Sequence, residues 1–251
     1  MLSWDGLLPR AFILAGGLGT RLRTVTGPLP KAMVPVCGRP FIEWLIERLV
    51  IHGLPSITLC VGYRSEAIIE CLSGGDALGA TITCSHETSA LGTGGALGQA
   101  LSHVSTSTVA LNGDSWFPIS YARLFKGHSA ARRRNPKTVA TLALGTASAG
   151  SAYGTVEMER DGYITAFREK PAGPTSSKYV NGGVYVVEPE LVDFIPQGAA
   201  SSLEYDVFPD VLASGFQIHA MCFDSAIRDI GTPERLYSFE RYLLEHGIAT
   251  A

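Results

Sequence analysis

An apolar run that empties directly into glycines limits what this chain can become more than any other feature. Ala11 to Ala15 (AFILA) is short, branched and free of polar residues, which reads as a strand covered on both faces; Gly16, Gly17 and Gly19 follow at once. Without Cβ atoms, consecutive backbone N–H groups can converge on the oxygens of a polyanion. Thr20 adds a hydroxyl donor and Arg21 a planar guanidinium suited to two-point phosphate contact. Ten residues after Arg21, Lys31 follows Pro30, whose ring stiffens the chain just before a second, compact positive charge. The P-loop string is absent, and a dinucleotide fingerprint begun at Gly17 fails because its last position is Leu22. A phosphate-handling loop of another kind remains.

Behind this loop, strand and helix patterns alternate. Pro40 to His52 carries apolar residues at helical spacing, Ile57 to Val61 reads as a buried strand, Ser65 to Leu72 as a helix and Thr81 to His86 as a strand. Gly92 to Gly95 leads into a helix through Leu101, and Thr108 to Leu111 is a strand ending at Asn112-Gly113-Asp114. A helix over Tyr121 to Arg134 and a strand over Thr138 to Ala143 come next. Shorter strands follow at Gly154 to Met158 and Tyr163 to Arg168, around a hairpin-type turn at Arg160-Asp161-Gly162. Tyr179 to Val187 and Gln217 to Phe223 read as strands, and Pro189 to Phe194, Glu204 to Leu212 and Pro233 to His246 as helices. The expected fold is α/β and Rossmann-like: a mostly parallel central sheet flanked by helices, with a smaller mixed-sheet part. In such sheets ligands lie beyond the carboxyl ends of the strands, where the glycine-marked turns fall. With no linker or low-complexity run, residues 10–251 are expected to form a single catalytic domain behind an N-terminal extension, residues 1–9.

Charge narrows the function. A net charge of −3 is unlike a nucleic-acid binder, and Arg132-Arg133-Arg134 is too short a basic run to change that. Five dispersed cysteines without a C-x-x-C pair, and six histidines without ligand spacing, suggest neither zinc nor disulfides. Met1 to Arg10 lacks the pattern of a signal peptide, and no apolar run approaches a membrane span. A cytoplasmic location is expected, with no membrane partner.

The compound pattern G-G-x-G-T-R with Pro30-Lys31 downstream resembles the signature of the sugar nucleotidyltransferases, the NDP-sugar pyrophosphorylases. The resemblance extends from Arg10 to Glu245. It implies an in-line attack by an oxygen of a sugar 1-phosphate on the α-phosphorus of a nucleoside triphosphate, which demands alignment and charge neutralisation rather than covalent help. It also implies Arg21 and Lys31 on the triphosphate and leaving pyrophosphate, Lys170 on the attacking sugar phosphate, and Mg²⁺ held by Asp114 and Asp229. Nucleotide contacts are implied for Leu14, Ala15, Gly16, Gly17, Gly19, Thr20, Glu87, Gly92, Thr93 and Gly113. Sugar contacts are implied for Gly154, Glu169, Asn181 and Gly182. Each acid also has a plain structural reading: Asp114 as a turn residue, Asp229 before the cap of the last helix, Glu87 as an exposed loop acid. Ser202 to Asp206 reads first as a helix cap in which the acid falls off the ideal third position, and second as a source of Glu204 or Asp206 for the sugar.

The set Leu91-Gly-Thr-Gly-Gly-Ala96, Asn112-Gly-Asp-Ser115-Trp-Phe117, Tyr153-Gly-Thr-Val156, Asn181-Gly-Gly-Val-Tyr185, Ser202-x-Glu-x-Asp206 and Asp229-Ile-Gly-Thr-Pro233 is most similar to the D-glycero-α-D-manno-heptose 1-phosphate guanylyltransferases. The chain departs from the wider pattern at Arg23-Thr24-Val25-Thr26, where many members carry a proline. The implied substrates are GTP, or another NTP, and a manno-configured sugar 1-phosphate; the product would be GDP-heptose for surface polysaccharide such as capsule. Glu87 is suited to accept from guanine N1–H and its amino group. A homo-oligomer is left open. The alternatives are a uridylyltransferase or related enzyme acting on muramic acid, glucose or mannose 1-phosphate, then a glycosyltransferase, for which the Asp-x-Asp motif is missing, then a silent nucleotide-sugar sensor.

Overall fold

A computed structural model describes residues 9–17, 22, 27, 29–62, 64–72, 78–146, 154–168 and 179–249, residue 168 by its backbone. β1 (Ala11–Leu14) is followed by a 3-10 turn, Lys31–Met33, and a small hairpin of β2 (Pro35–Val36) and β3 (Arg39–Pro40). Then come α1 (Phe41–Ile51), β4 (Ser56–Val61), α2 (Ser65–Leu72), β5 (Thr81–His86), α3 (Gly92–Leu101), β6 (Thr108–Asn112), β7 (Ser115–Trp116) and α4 (Tyr121–Arg134). β8 (Thr138–Thr146), the hairpin β9 (Thr155–Met158) and β10 (Ile164–Arg168), and β11 (Tyr179–Val187) lead to α5 (Phe208–Ala213), β12 (Gln217–Ala226), β13 (Arg228–Asp229) and α6 (Pro233–Glu245).

Seven strands make one sheet in the order β12-β8-β11-β6-β1-β4-β5. Only β11 runs against its neighbours, β6 and β8; the pairs β1–β4, β1–β6, β4–β5 and β8–β12 are parallel. The expected mixed part is therefore largely a continuation of the same sheet, with β9–β10 and β7–β13 apart from it as two-stranded ribbons. Alternation along β1 shows why its run is wholly apolar. Ala11 and Ile13 join a core with α1, α2, α4 and α6, whereas Phe12 joins the opposite core with α3 and α5.

Strand order reverses at β1, which has β4 on one side and β6 on the other. Such a switch point opens a crevice beyond the carboxyl ends, here after Leu14 and Asn112. Because β11 is reversed, its first residues, Tyr179 to Gly183, lie at that same end of the sheet.

Two expected helices differ in kind. Pro189–Phe194 is a 3-10 turn, and the helix expected from Glu204 opens as a π turn, Leu203–Val207, before α5. The wider turn accounts for the displaced acid of the cap. Ser202 Oγ accepts from the N–H groups of Glu204 and Tyr205, and the reciprocal bond, from the Ser202 N–H to Asp206 at 2.7 Å, comes four residues on instead of three.

Candidate functional site

A cavity of about 270 Å³ lies at the switch point. Leu14, Gly16, Gly17, Glu87, Gly92, Thr93 and Asp114, all expected from the sequence, line it together with Asn112, which was expected only as part of a turn. Their positions follow from the sheet. Leu14, Asn112 and Glu87 stand at or just past the ends of β1, β6 and β5, and Gly92 and Thr93 open α3. Ala15 and Gly113 lie behind the wall: the Ala15 N–H donates to Cys60 O at 2.8 Å, and the Gly113 N–H to Leu14 O at 3.0 Å. A Cβ on Gly113 would stand 2.7 Å from that Leu14 oxygen, so the turn requires glycine to close against β1.

Glu87 is not an exposed loop acid. Its Oε2 accepts the Leu91 N–H at 3.1 Å, while its Oε1 is buried without a hydrogen-bond partner. Burial pushes its pKa above the ordinary carboxylate range, and the Leu91 N–H opposes that shift. A Cβ on Gly16 would fall 2.3 Å from Oε1, so the bareness of this glycine makes room for the carboxylate at the cavity wall. Asn112 Oδ1 is likewise buried and unpartnered. Glu87 and Asn112 both line the cavity, so a turn of either side chain would offer an acceptor to an occupant carrying N–H or O–H donors.

Asp114 pairs with Lys31, which reaches it from the 3-10 turn 83 residues earlier, and its Oδ1 accepts from Ser115 Oγ at 2.8 Å. Asp229 is placed next to this turn by backbone pairing: it is the partner of Ser115 in the β7–β13 ribbon, and the Ile230 N–H donates to Asp114 O at 3.1 Å. Its carboxylate, however, is engaged. Arg235 Nη1 donates to Oδ1 and Oδ2 at 3.1 and 2.9 Å, and the Gly231 N–H donates to Oδ1 at 2.8 Å. Asp229 thus braces the first turn of α6, whose N-cap is Thr232.

Of the expected sugar-side residues, Asn181 belongs to a polar hub beside the cavity. Asn181 Oδ1 accepts from the Gly183 N–H at 3.0 Å, and its Nδ2 donates to Tyr185 Oη at 3.0 Å. Tyr185 in turn donates to Glu204 Oε1 at 2.7 Å, and burial together with Glu204 raises the phenol pKa well above its usual value. Thr93 Oγ1 accepts from the Leu203 N–H at 3.0 Å and contacts Glu204 Oε2 at 3.5 Å, tying the hub to the cavity. Gly154 enters only through its carbonyl, which accepts the Asn181 N–H at 3.1 Å. Gly182 is buried, and its absent Cβ is explained by Phe117, whose ring carbon would lie 2.3 Å away. Gly19, Thr20, Arg21, Glu169 and Lys170 lie outside the described residues.

Among the described residues no group of three or more His, Cys, Asp or Glu side chains could hold a metal, and all five cysteines are free. Also among them, no helix is long and apolar enough to cross a membrane.

Known proteins are similar to this chain over most of its length. The chain is 32% identical over 231 residues to D-glycero-alpha-D-manno-heptose 1-phosphate guanylyltransferase of Campylobacter jejuni, covering 92% of this chain and 98% of that one. It is 34% identical over 226 residues to mannose-1-phosphate guanylyltransferase of Mycobacterium tuberculosis, covering 89% of this chain but spanning only 61% of the relative's length. Among solved structures, HddC from Yersinia pseudotuberculosis complexed with GMP-PN superimposes with a TM-score of 0.79 at 26% identity, over 94% of this chain and 99% of that one. The Nucleotidyl transferase family profile matches residues 10–246, so that the glycine turn, the Asp114 turn and the Asp229 segment all fall within one match: the chain belongs to the nucleotidyl transferase family.

Proposed function

We propose that this protein is a sugar-1-phosphate nucleotidyltransferase that transfers GMP from GTP to D-glycero-α-D-manno-heptose 1-phosphate, giving GDP-heptose and pyrophosphate. The observation that carries the nucleotide choice is the Glu87 carboxylate, which lines the cavity beside Gly16 and has one oxygen without a partner. Guanine offers two adjacent donors, N1–H and the 2-amino group, to a carboxylate; uracil offers a single N–H. Similarity supports the heptose reading: the chain is 32% and 34% identical to two D-glycero-alpha-D-manno-heptose 1-phosphate guanylyltransferases, from Campylobacter jejuni and Aneurinibacillus thermoaerophilus.

In this reading the chain aligns two anions and neutralises their charge. Glu87 and the backbone of the Leu91–Thr93 segment orient the base, and the bare Gly16-Gly17 turn lets the triphosphate approach the ends of β1 and β6. Lys31 supplies a positive charge at the mouth of the cavity, Arg21 is assigned to the departing pyrophosphate, and Lys170 with Glu169 is assigned to the sugar phosphate and hydroxyls. Mg²⁺ fits the donor set through Asp114, an oxygen ligand on the cavity wall; Asp229 would join it only in exchange for Arg235. When bound, the ion would offset charge on the phosphates. We place the enzyme in the cytoplasm, in the synthesis of a surface polysaccharide, as residues 10–251 acting as one catalytic domain.

Pyrophosphate release over GTP, UTP, ATP and CTP, crossed with heptose, mannose and glucose 1-phosphates, tests the assignment. Turnover is expected with GTP and the manno-configured sugars. Preference for UTP with glucose 1-phosphate would replace it with the activity named for a relative 33% identical in Synechocystis, a UTP–glucose-1-phosphate uridylyltransferase.

A further inference from the structure

Each of the two acids assigned to the phosphate end of the site already carries a cation of its own. Lys31 sits on Asp114 and Arg235 on Asp229. The two pairs differ in how firmly they are held. Arg235 meets both oxygens of Asp229, which the Gly231 N–H also engages, and this carboxylate is only 10% exposed. Lys31 is a single point charge on a flexible stem and meets one oxygen of Asp114, whose side chain is 36% exposed at the cavity. Asp114 Oδ1 accepts from Ser115 Oγ, and Lys31 stands on the other oxygen, so an incoming cation meets a carboxylate that is already neutralised.

We infer that Lys31 is an exchangeable counterion: with no phosphate present it occupies Asp114 and keeps free divalent cations off the carboxylate, and phosphate anions release Asp114 by drawing Lys31 onto themselves. Metal loading is thereby tied to arrival of the nucleotide. The inference rests on the proposed assignment of Asp114 to the metal. Its physical basis is competition: a carboxylate already neutralised by an ammonium gains less from a second cation than a bare one does. Lys31 has two attractive positions, and the richer phosphate charge wins once the substrate arrives.

The test uses Mn²⁺ alone, titrated into nucleotide-free protein and followed by loss of the free-ion electron paramagnetic resonance signal. Lys31→Gln and Lys31→Met should each bind Mn²⁺ roughly tenfold more tightly than wild type, the scale of one part-buried charge-assisted hydrogen bond. Lys31→Arg, which retains the cation, should stay near wild type, and Lys31→Gln/Asp114→Asn should lose the gain. Thermal melts establish that each variant is folded; Gln and Met remove the charge with different packing, so one that fails to fold leaves the other to decide. Folded Lys31→Gln or Lys31→Met protein with wild-type Mn²⁺ affinity would overturn the inference, as would a gain that survives loss of Asp114. Failure of the proposed function is distinct, because it appears as absent pyrophosphate release across the nucleotide panel, whereas this titration contains neither nucleotide nor sugar.

Discussion

Replacing Glu87 by glutamine changes one atom and should move stability and activity in opposite directions. In the empty protein, Oε2 has the Leu91 N–H at 3.1 Å, and Oε1 has burial without a partner, so the ionised carboxylate is held at a cost. Its folded-state pKa is raised by burial, so the native state binds more protons than the unfolded chain between the ordinary carboxylate pKa and the raised value. Stability therefore falls as pH rises through that window, and an amide removes the fall. Because the side chain is only half-buried, the gain at neutral pH is discounted for solvent screening to about 0.5–1 kcal/mol, or roughly 1–4 °C in melting temperature. The gain should shrink as pH drops into the carboxylate range. Catalysis should suffer instead: an amide presents one acceptor and an N–H where guanine offers two donors, and an unsatisfied donor costs about 1–3 kcal/mol. Loss of kcat/KM for GTP should be roughly ten- to a hundredfold, with UTP changed by no more than about threefold. Melting curves from pH 4 to 8 and pyrophosphate release with both nucleotides provide the readings. A variant that melts lower at pH 7, or that keeps its GTP rate, would refute the reasoning.

Gly182→Ala should destabilise the protein by about 1–3 kcal/mol, since its Cβ would meet the Phe117 ring at 2.3 Å and Ala143 O at 2.8 Å. Thermal unfolding measures this, and an unchanged melting temperature would mean that the contact relaxes freely. Arg235→Gln removes the guanidinium from both oxygens of a carboxylate that is 10% exposed. Because the arginine itself is 34% exposed, the expected loss is about 1–2 kcal/mol, well below that of a fully buried pair, and it is readable as a lower denaturant midpoint.

Local signals carried most of the fold. The uninterrupted AFILA run, the helical spacing of Phe41 to Leu49 and the glycine-marked turns each announce an element whose neighbours scarcely alter it. The sheet order did not follow from them: nothing local says that β8 lies between β11 and β12. Of the site, residues at strand ends were legible because a parallel sheet gathers such ends whatever the loops do. Partners were not legible. Lys31 meets Asp114 across 83 residues, and Arg235 meets Asp229 because Thr232 starts a helix between them. Nor does sequence show that Phe117, 65 residues away from Gly182, packs where a Cβ on that glycine would stand. The cap before α5 had a visible signal, an acid displaced by one position from the ideal, but recognising Asp206 as the partner of the Ser202 N–H requires knowing that the turn is a π turn.

The reversal of β11 has a further consequence. β8 ends at Thr146 on the cavity's side, and β11 begins at Tyr179 on that same side, so the β9–β10 ribbon is inserted between two strand ends that face the cavity. Ile164 and Phe167 anchor that ribbon to the core shared with α5, and Tyr163 bridges it to His219 of β12, so its exposed face is free to vary in sequence while the layers beneath keep their register.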